Sequence, residues 1–180
     1  YGTDAVRAYL MFIGPWEYGG KWDDRGIVGI YRWLGRIWNL VLSETQGEEP
    51  MTKEEETELE RRLHRTIKRV SELIERFKFN TMLSSIMELT NYMGGLKERR
   101  RVKGNPVWED AIEKLLLILA PSCPHITEEL WQRIGKEYSI HNQRFPEWRE
   151  ELIKEDTFTL VIQVNGKVRD KVCLLYTSDA

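Results

Sequence analysis

The chain has few of the residues that cross-link or coordinate: two cysteines and three histidines in 180 residues. Cys123 and Cys173 lie far apart and share no C-x-x-C spacing, so they read as reduced thiols of a cytosolic protein and not as a disulfide framework. His64, His125 and His141 are scattered. Cys123-Pro124-His125 offers two ligands where structural zinc wants four, so no metal site is expected. The same two side chains are separated by a proline and have no identifiable orienting carboxylate, which argues against a nucleophile and base. No G-x-G-x-x-G or Walker-type loop is present, so no nucleotide cradle can be argued. The longest apolar run, Leu115 to Ala120, is far too short to cross a bilayer. The opening Tyr1-Gly2-Thr3-Asp4 carries no initiator methionine and no basic start followed by an apolar stretch, so neither secretion nor a membrane role is expected. An excess of one charge is lacking too. With 27 basic and 29 acidic residues the formal charge is -2, which neither attracts nor excludes a polyanion. A nucleic-acid partner would require the basic residues to gather on one face.

What is there is ordinary globular composition, 41% hydrophobic and 31% charged. That suits one domain, or a domain with a small appendage, able to bury roughly two thirds of its extended surface. Seven tryptophans are more than usual, and several sit in periodic apolar runs where packing accounts for them better than base stacking.

Helical periodicity runs through most of the chain. Residues 3–13 place Val6, Tyr9, Leu10 and Ile13 on one face before Gly14-Pro15 stops the helix. A Gly- and Trp-rich loop follows. Asp23 is positioned to cap a second helix with the stripe Ile27, Ile30, Tyr31, Leu34, Ile37, Trp38 and Val41. Arg25, Arg32 and Arg36 lie off that stripe, with Arg32 and Arg36 one turn apart, as a solvated flank or an RNA contact. After a polar linker, Thr52 and Glu55 form a capping-box pattern opening a third helix, with Leu59, Leu63, Ile67, Val70, Leu73 and Ile74 inward and an end near Phe77. His64 reads as a surface residue, and the carboxylates of residues 54–60 as a solvated helix face. Asn80 is positioned to cap a fourth helix carrying Leu83, Ile86, Met87, Thr90 and Met93, ended by Gly94-Gly95. Residues 96–104, with five basic residues against one acid, read as a mobile positive loop or a merely solvated turn. A fifth helix over 107–120 is broken by Pro121-Ser122-Cys123-Pro124. A sixth begins at Pro124, with Ile126, Leu130, Trp131 and Ile134 inward. From residue 157 the period falls to two. Phe158, Leu160, Ile162 and Val164 alternate, Asn165-Gly166 favours a two-residue turn, and residues 167–172 form the returning strand.

Three helical stretches carry a family resemblance. Tyr1-Gly2-Thr3-Asp4-Ala5-Val6-Arg7-Ala8-Tyr9 resembles the segment after the lysine-rich signature loop of leucyl-tRNA synthetases. Trp22-Asp23-Asp24-Arg25-Gly26, running on to Tyr31-Arg32-Trp33-Leu34 and Arg36-Ile37-Trp38-Asn39-Leu40-Val41, resembles the first long helix of their anticodon-binding-type domain. Leu119-Ala120-Pro121 with Pro124-His125-Ile126-Thr127-Glu128-Glu129-Leu130-Trp131 is similar to its closing helix, which isoleucyl and valyl relatives share. Val161-Ile162-Gln163-Val164-Asn165-Gly166-Lys167-Val168-Arg169 matches the entry to the small C-terminal domain of bacterial and organellar members, and favours leucine.

The resemblance implies a mainly α fold: a helical bundle of the class I synthetase anticodon-binding type, followed by a short β-hairpin from a truncated α/β domain. Residues 1–22 would connect to the missing catalytic domain, 23–135 form the bundle, 136–156 link, 157–172 open the C-terminal domain, and 173–180 look foreign to the family. It implies a cytoplasmic, monomeric parent enzyme that attaches leucine to its tRNA with ATP and Mg. The nucleotide-binding and editing domains lie outside this stretch, leaving no catalytic, cofactor or metal residue in it. Its partners would be leucine tRNA, held by shape and backbone contacts, and the missing domains of the same enzyme. Candidate phosphate contacts are Arg32, Arg36, Lys97, Arg99, Arg100, Arg101 and Lys103, with Lys167 and Arg169 on the hairpin, while Arg7 and Tyr9 brace the join to the catalytic domain. Two alternatives stay open: a helical interaction or structural module without RNA affinity, which predicts dispersed basic residues, and a free-standing tRNA-related accessory protein. The faces around Trp16 and Trp22 are expected to be exposed.

Overall fold

The computed structural model describes the backbone of residues 1–45, 47–153, 157–164 and 167–175, and the side chains of 1–45 and 47–153. Six helices build the bundle: α1 (Thr3–Phe12), α2 (Gly26–Leu42), α3 (Lys53–Glu75), α4 (Phe79–Arg99), α5 (Pro106–Leu119) and α6 (Pro124–Arg133). A 3-10 turn at Ile140–Asn142 and a short α7 (Glu150–Ile153) follow, then strands β1 (Thr157–Val164) and β2 (Lys167–Leu175).

The local chemistry explains most of these limits. Thr52 and Glu55 cap α3 reciprocally, the Thr52 hydroxyl accepting the Glu55 amide and the Glu55 carboxylate accepting the Thr52 amide. Asn105 accepts from the Val107 and Trp108 amides at the start of α5, where Pro106 occupies the first turn. Two expected caps differ. Arg25, not Asp23, precedes α2; Asp23 sits one turn earlier, its carbonyl accepting from Gly26 and its carboxylate from Arg25. Asn80 falls inside α4, which starts at Phe79 without a side-chain cap.

Gly94-Gly95 does not end α4. Neither glycine has a positive φ, and the inward spacing continues through Met93 and Leu96, both fully buried. That burial outweighs the roughly 1 kcal/mol that each helical glycine costs relative to alanine. The helix therefore takes in residues 96–99, which the sequence suggested as loop.

The core runs through the middle of the bundle. α3 packs against α4 and α5, α1 lies on α2 and α4, and α6 closes on α5 and α2. Trp33 is almost fully buried, and its indole N–H donates to Thr90 Oγ1 at 2.9 Å. α2 is turned slightly from the expected stripe: Trp33 and Leu40 face inward and Tyr31 is half exposed. On α1 the small residues Ala5 and Ala8 are buried with Asp4 and Tyr9, while Val6 and Leu10 point out. Arg7 donates to the Ser122 and Pro121 carbonyls, and Tyr9 Oη both donates to and accepts from the Asp23 backbone. Both residues thus tie α1 to this bundle and its own loops. Gly26 makes the last contact possible, because a Cβ there would lie 2.5 Å from Tyr9 Oη.

His64 is also inside, contrary to the surface reading. It is 1% exposed on α3, its Nδ1 accepts the Arg149 amide at 3.1 Å, and its Nε2 has no partner among the described residues. The signal that hid it was its charged neighbours in sequence, which point the other way around the helix. Residues 136–153, read as a linker, are partly bound to the bundle: Ile140 is buried, its amide donates to Glu128, and α7 packs on α3.

β1 and β2 pair antiparallel from Thr157–Leu175 to Val164–Lys167, with a register shift between Ile162 and Gln163. β2 continues past Val172 to Leu175. The Asn165-Gly166 turn and residues 176–180 lie outside the described residues, as do the side chains of Lys167, Arg169 and Cys173.

Candidate nucleic-acid interface

The basic stretch after Met93 does not form one mobile positive loop. Lys97 turns inward at the end of α4 and is 8% exposed. Its ammonium donates to the carbonyls of Asn39 (2.9 Å), Leu40 (2.8 Å) and Ser43 (2.6 Å) and lies 3.1 Å from Ser43 Oγ. These carbonyls close the end of α2, where Asn39 also accepts the Ser43 amide at 3.0 Å, so Lys97 caps that helix from outside it. Burial lowers its pKa, opposed by Glu44.

Arg100 is held between Glu55 and Glu49, at 2.9 and 2.8 Å, and its pKa is raised chiefly by the Glu55 hydrogen bond. Lys103 pairs with Glu44 at 3.0 Å on an exposed surface. The Arg101 amide donates to the Glu49 carbonyl at 2.7 Å and pairs this strand-like piece with Pro50. Gly47 permits that approach, since a Cβ there would collide with the Arg99–Arg100 backbone. Arg99 and Arg101 keep exposed side chains.

On α2, Arg32 and Arg36 are exposed and make no ion pair among the described residues. Arg36 borders a groove of about 710 Å³ between α2 and α4, floored by Asn91, Gly94 and Gly95 and edged by Glu98. Arg32 lines a shallower hollow beside Tyr31, Trp38 and His125. Arg99 sits on the next face of α4, near Tyr92 and Glu55. The candidates thus divide between the α2 side and the α3–α4 side. The candidates read from sequence leave out α3, where Arg62, Arg65 and Arg69 are exposed, as is Arg76 at its C-cap. Their spacing of three, four and seven was the available signal.

Among the described residues, no group of three or more His, Cys, Asp or Glu could hold a metal ion, and no helix is long and apolar enough to cross a membrane. Trp16, Tyr18 and Trp22 are 61%, 89% and 45% exposed.

The family of anticodon-binding domains of tRNA ligases matches residues 56–175. The chain belongs to that family. Leucine–tRNA ligases of Dehalococcoides mccartyi and Rubrobacter xylanophilus are similar to it at 50% identity over 171 residues and 49% over 172. These alignments cover 95% and 96% of this chain, but 21% and 20% of the relatives, so the chain spans about a fifth of the length of the curated relatives it matches. Among solved structures, the ternary complex of Agrobacterium radiobacter K84 agnB2 LeuRS with tRNA and LeuAMS matches with a TM-score of 0.75 at 30% identity, covering 96% of this chain and 23% of that one. The leucyl-tRNA synthetase resemblance read from the motifs is borne out, and so is the helical bundle of the anticodon-binding domain family.

Proposed function

We propose that this chain is the tRNA-docking part of a leucine–tRNA ligase. The observation that carries the reading is half identity to such ligases over nearly the whole chain, in the stretch that matches the anticodon-binding domain family. The parent enzyme attaches leucine to its tRNA in the cytoplasm, using ATP and Mg held in domains outside this stretch. The fragment itself has no catalytic or editing activity. Its bundle, residues 23–135, holds the RNA so that the acceptor end reaches the catalytic domain. Residues 1–22 lead from that domain, 136–156 connect onward, 157–172 open the small C-terminal α/β domain, and of the tail 173–180 only 176–180 lies beyond the family match.

Phosphate contacts fall on the exposed cations Arg32, Arg36, Arg99 and Arg101, with Lys167 and Arg169 on the ladder. Arg100 and Lys103 are secondary because each already faces a carboxylate. Lys97 positions α2. Such contacts fix the register of the RNA without reading its sequence.

The test is binding of the folded chain to leucine tRNA and to an unrelated tRNA across a salt series. Saturable binding that weakens with salt supports the reading, and a preference for leucine tRNA extends it to recognition. Absence of binding at low salt by folded protein overturns it and favours an interaction module without RNA affinity.

A further inference from the structure

The outer face of α3 carries a row of arginines that no candidate above includes. Leu59, Leu63, Ile67 and Val70 face the core. At 100° per residue, Arg62, Arg65, Arg69 and Arg76 fall within about 60° of one another on the opposite side. All four are exposed. From Arg62 to Arg76 the row is roughly 21 Å long at 1.5 Å per residue.

The row continues onto the next helix. The Arg62 guanidinium lies 4.4 Å above the Tyr92 ring of α4, and Arg99 follows two turns further along the same side of α4. Acidic residues interrupt it only partly. Glu58 pairs with Arg61 and Arg62 at one end, and Glu72 stands in the row between Arg69 and Arg76. Arg69 and Arg76 make no ion pair among the described residues.

We propose that Arg62, Arg65 and Arg69 on α3 and Arg76 at its C-cap, extended by Arg99 on α4, form a track for the sugar-phosphate backbone of a bound RNA. The inference rests on the tRNA-docking reading above and adds a second surface to it, around the bundle from Arg32 and Arg36. Guanidinium groups suit this use because each presents a planar fork of donors to phosphate oxygens. Tyr92 holds Arg62 in place through its ring face.

The experiment compares tRNA binding by the 180-residue chain, by R65Q/R69Q/R76Q and by an equally discharged control, K21Q/K136Q/R144Q, with circular dichroism confirming the fold of each. The track variant should bind about tenfold or more weakly at low salt, and its log-log salt slope should shrink by about 2 to 3. The control should keep both values, and R65K/R69K/R76K should recover most of the slope. An unchanged slope in the track variant, or an equal loss in the control, overturns the track while leaving tRNA docking intact. No tRNA binding by the unaltered chain removes both readings. Poly-glutamate binding as tightly as tRNA at matched charge, with the same loss in the track variant, would instead assign the row to an acidic protein.

Discussion

Asp4 on α1 caps α6 from 122 residues away: its Oδ2 accepts the Ile126 amide at 2.7 Å, and its Oδ1 lies 2.8 Å from His125 Nδ1. The residue before α6, Cys123, supplies no side-chain cap, and Pro124 has no amide to offer. One turn along α1, Arg7 meets the Ser122 and Pro121 carbonyls just beyond α5. One short helix therefore gives an anion to the amide end of one helix and a cation to the carbonyl end of another, each where the backbone dipoles favour it. α1 is fastened to the bundle by polar groups on its inner face, while Val6 and Leu10 remain outside.

Replacing Asp4 with alanine removes this distant cap and leaves the Ile126 amide short of its acceptor. The expected loss is about 1–3 kcal/mol, lowering the melting temperature by roughly 2–10 °C for a chain of this size. Asp4→Asn keeps an acceptor and should lose less. Chemical denaturation of the three proteins decides it, and equal midpoints for D4A and the unaltered chain would show that the cap contributes nothing.

Cys123 follows from the same junction. Burial, with the nearby Asp4 charge, pushes its thiol up to about 12 against a smaller opposing effect of Arg7. In a C173S background, Cys123 should resist iodoacetamide at pH 8 for as long as α1 stays docked, because the thiolate is the reacting form. The D4A variant should label faster. Rapid labelling of the folded, unaltered junction would contradict the burial.

Much of the bundle was legible in the sequence because its signals are local. Thr52 and Glu55 are three residues apart and cap one helix wherever that helix is placed. Leu59, Leu63, Ile67 and Val70 keep one period and one face. The misread positions depend on partners distant in sequence. Lys97 looked like part of a basic loop because its acceptors, Asn39, Leu40 and Ser43, belong to another helix. Gly94-Gly95 looked like a stop because the burial of Leu96 is a tertiary fact. The candidate site suffered most. Composition marks which residues are cationic, but only the fold separates Arg36, which opens on a groove, from Arg100, which is held by two glutamates.

His64 should make stability sensitive to mild acid. Its pKa is lowered first by burial and then by Lys114 and Arg149, against smaller opposing effects of Asp110 and Glu151. The neutral ring also accepts the Arg149 amide, which a doubly protonated ring cannot do. Above the ordinary histidine value of about 6.5, neither folded nor unfolded chain is protonated there and the residue is neutral in its effect. As pH falls through that value the unfolded chain binds the proton first, so stability is lost, by up to about 1.4 kcal/mol per pH unit, until the depressed folded pKa is reached. Urea midpoints measured from pH 7.5 to 5 should fall more steeply for the unaltered chain than for H64Q. Parallel curves would mean that His64 does not titrate differently in the two states.

Lys97 separates a structural cation from an RNA-binding one. Its ammonium donates to three backbone carbonyls near the end of α2, beside the groove that Arg36 borders. Lys97→Met fills similar volume but abandons those carbonyls, so it should destabilise the chain by about 1.5–3 kcal/mol, the range for hydrogen bonds to a charged group. Arg36→Gln and Arg99→Gln, both exposed, should leave stability within about 0.5 kcal/mol. Binding should show the reverse order. Under conditions where K97M remains folded, it should keep the tRNA affinity and salt slope of the unaltered chain, whereas R36Q and R99Q should each flatten the slope by about one. A flattened slope in folded K97M would place its charge within reach of phosphate, requiring the lysine to leave the α2 carbonyls when RNA binds.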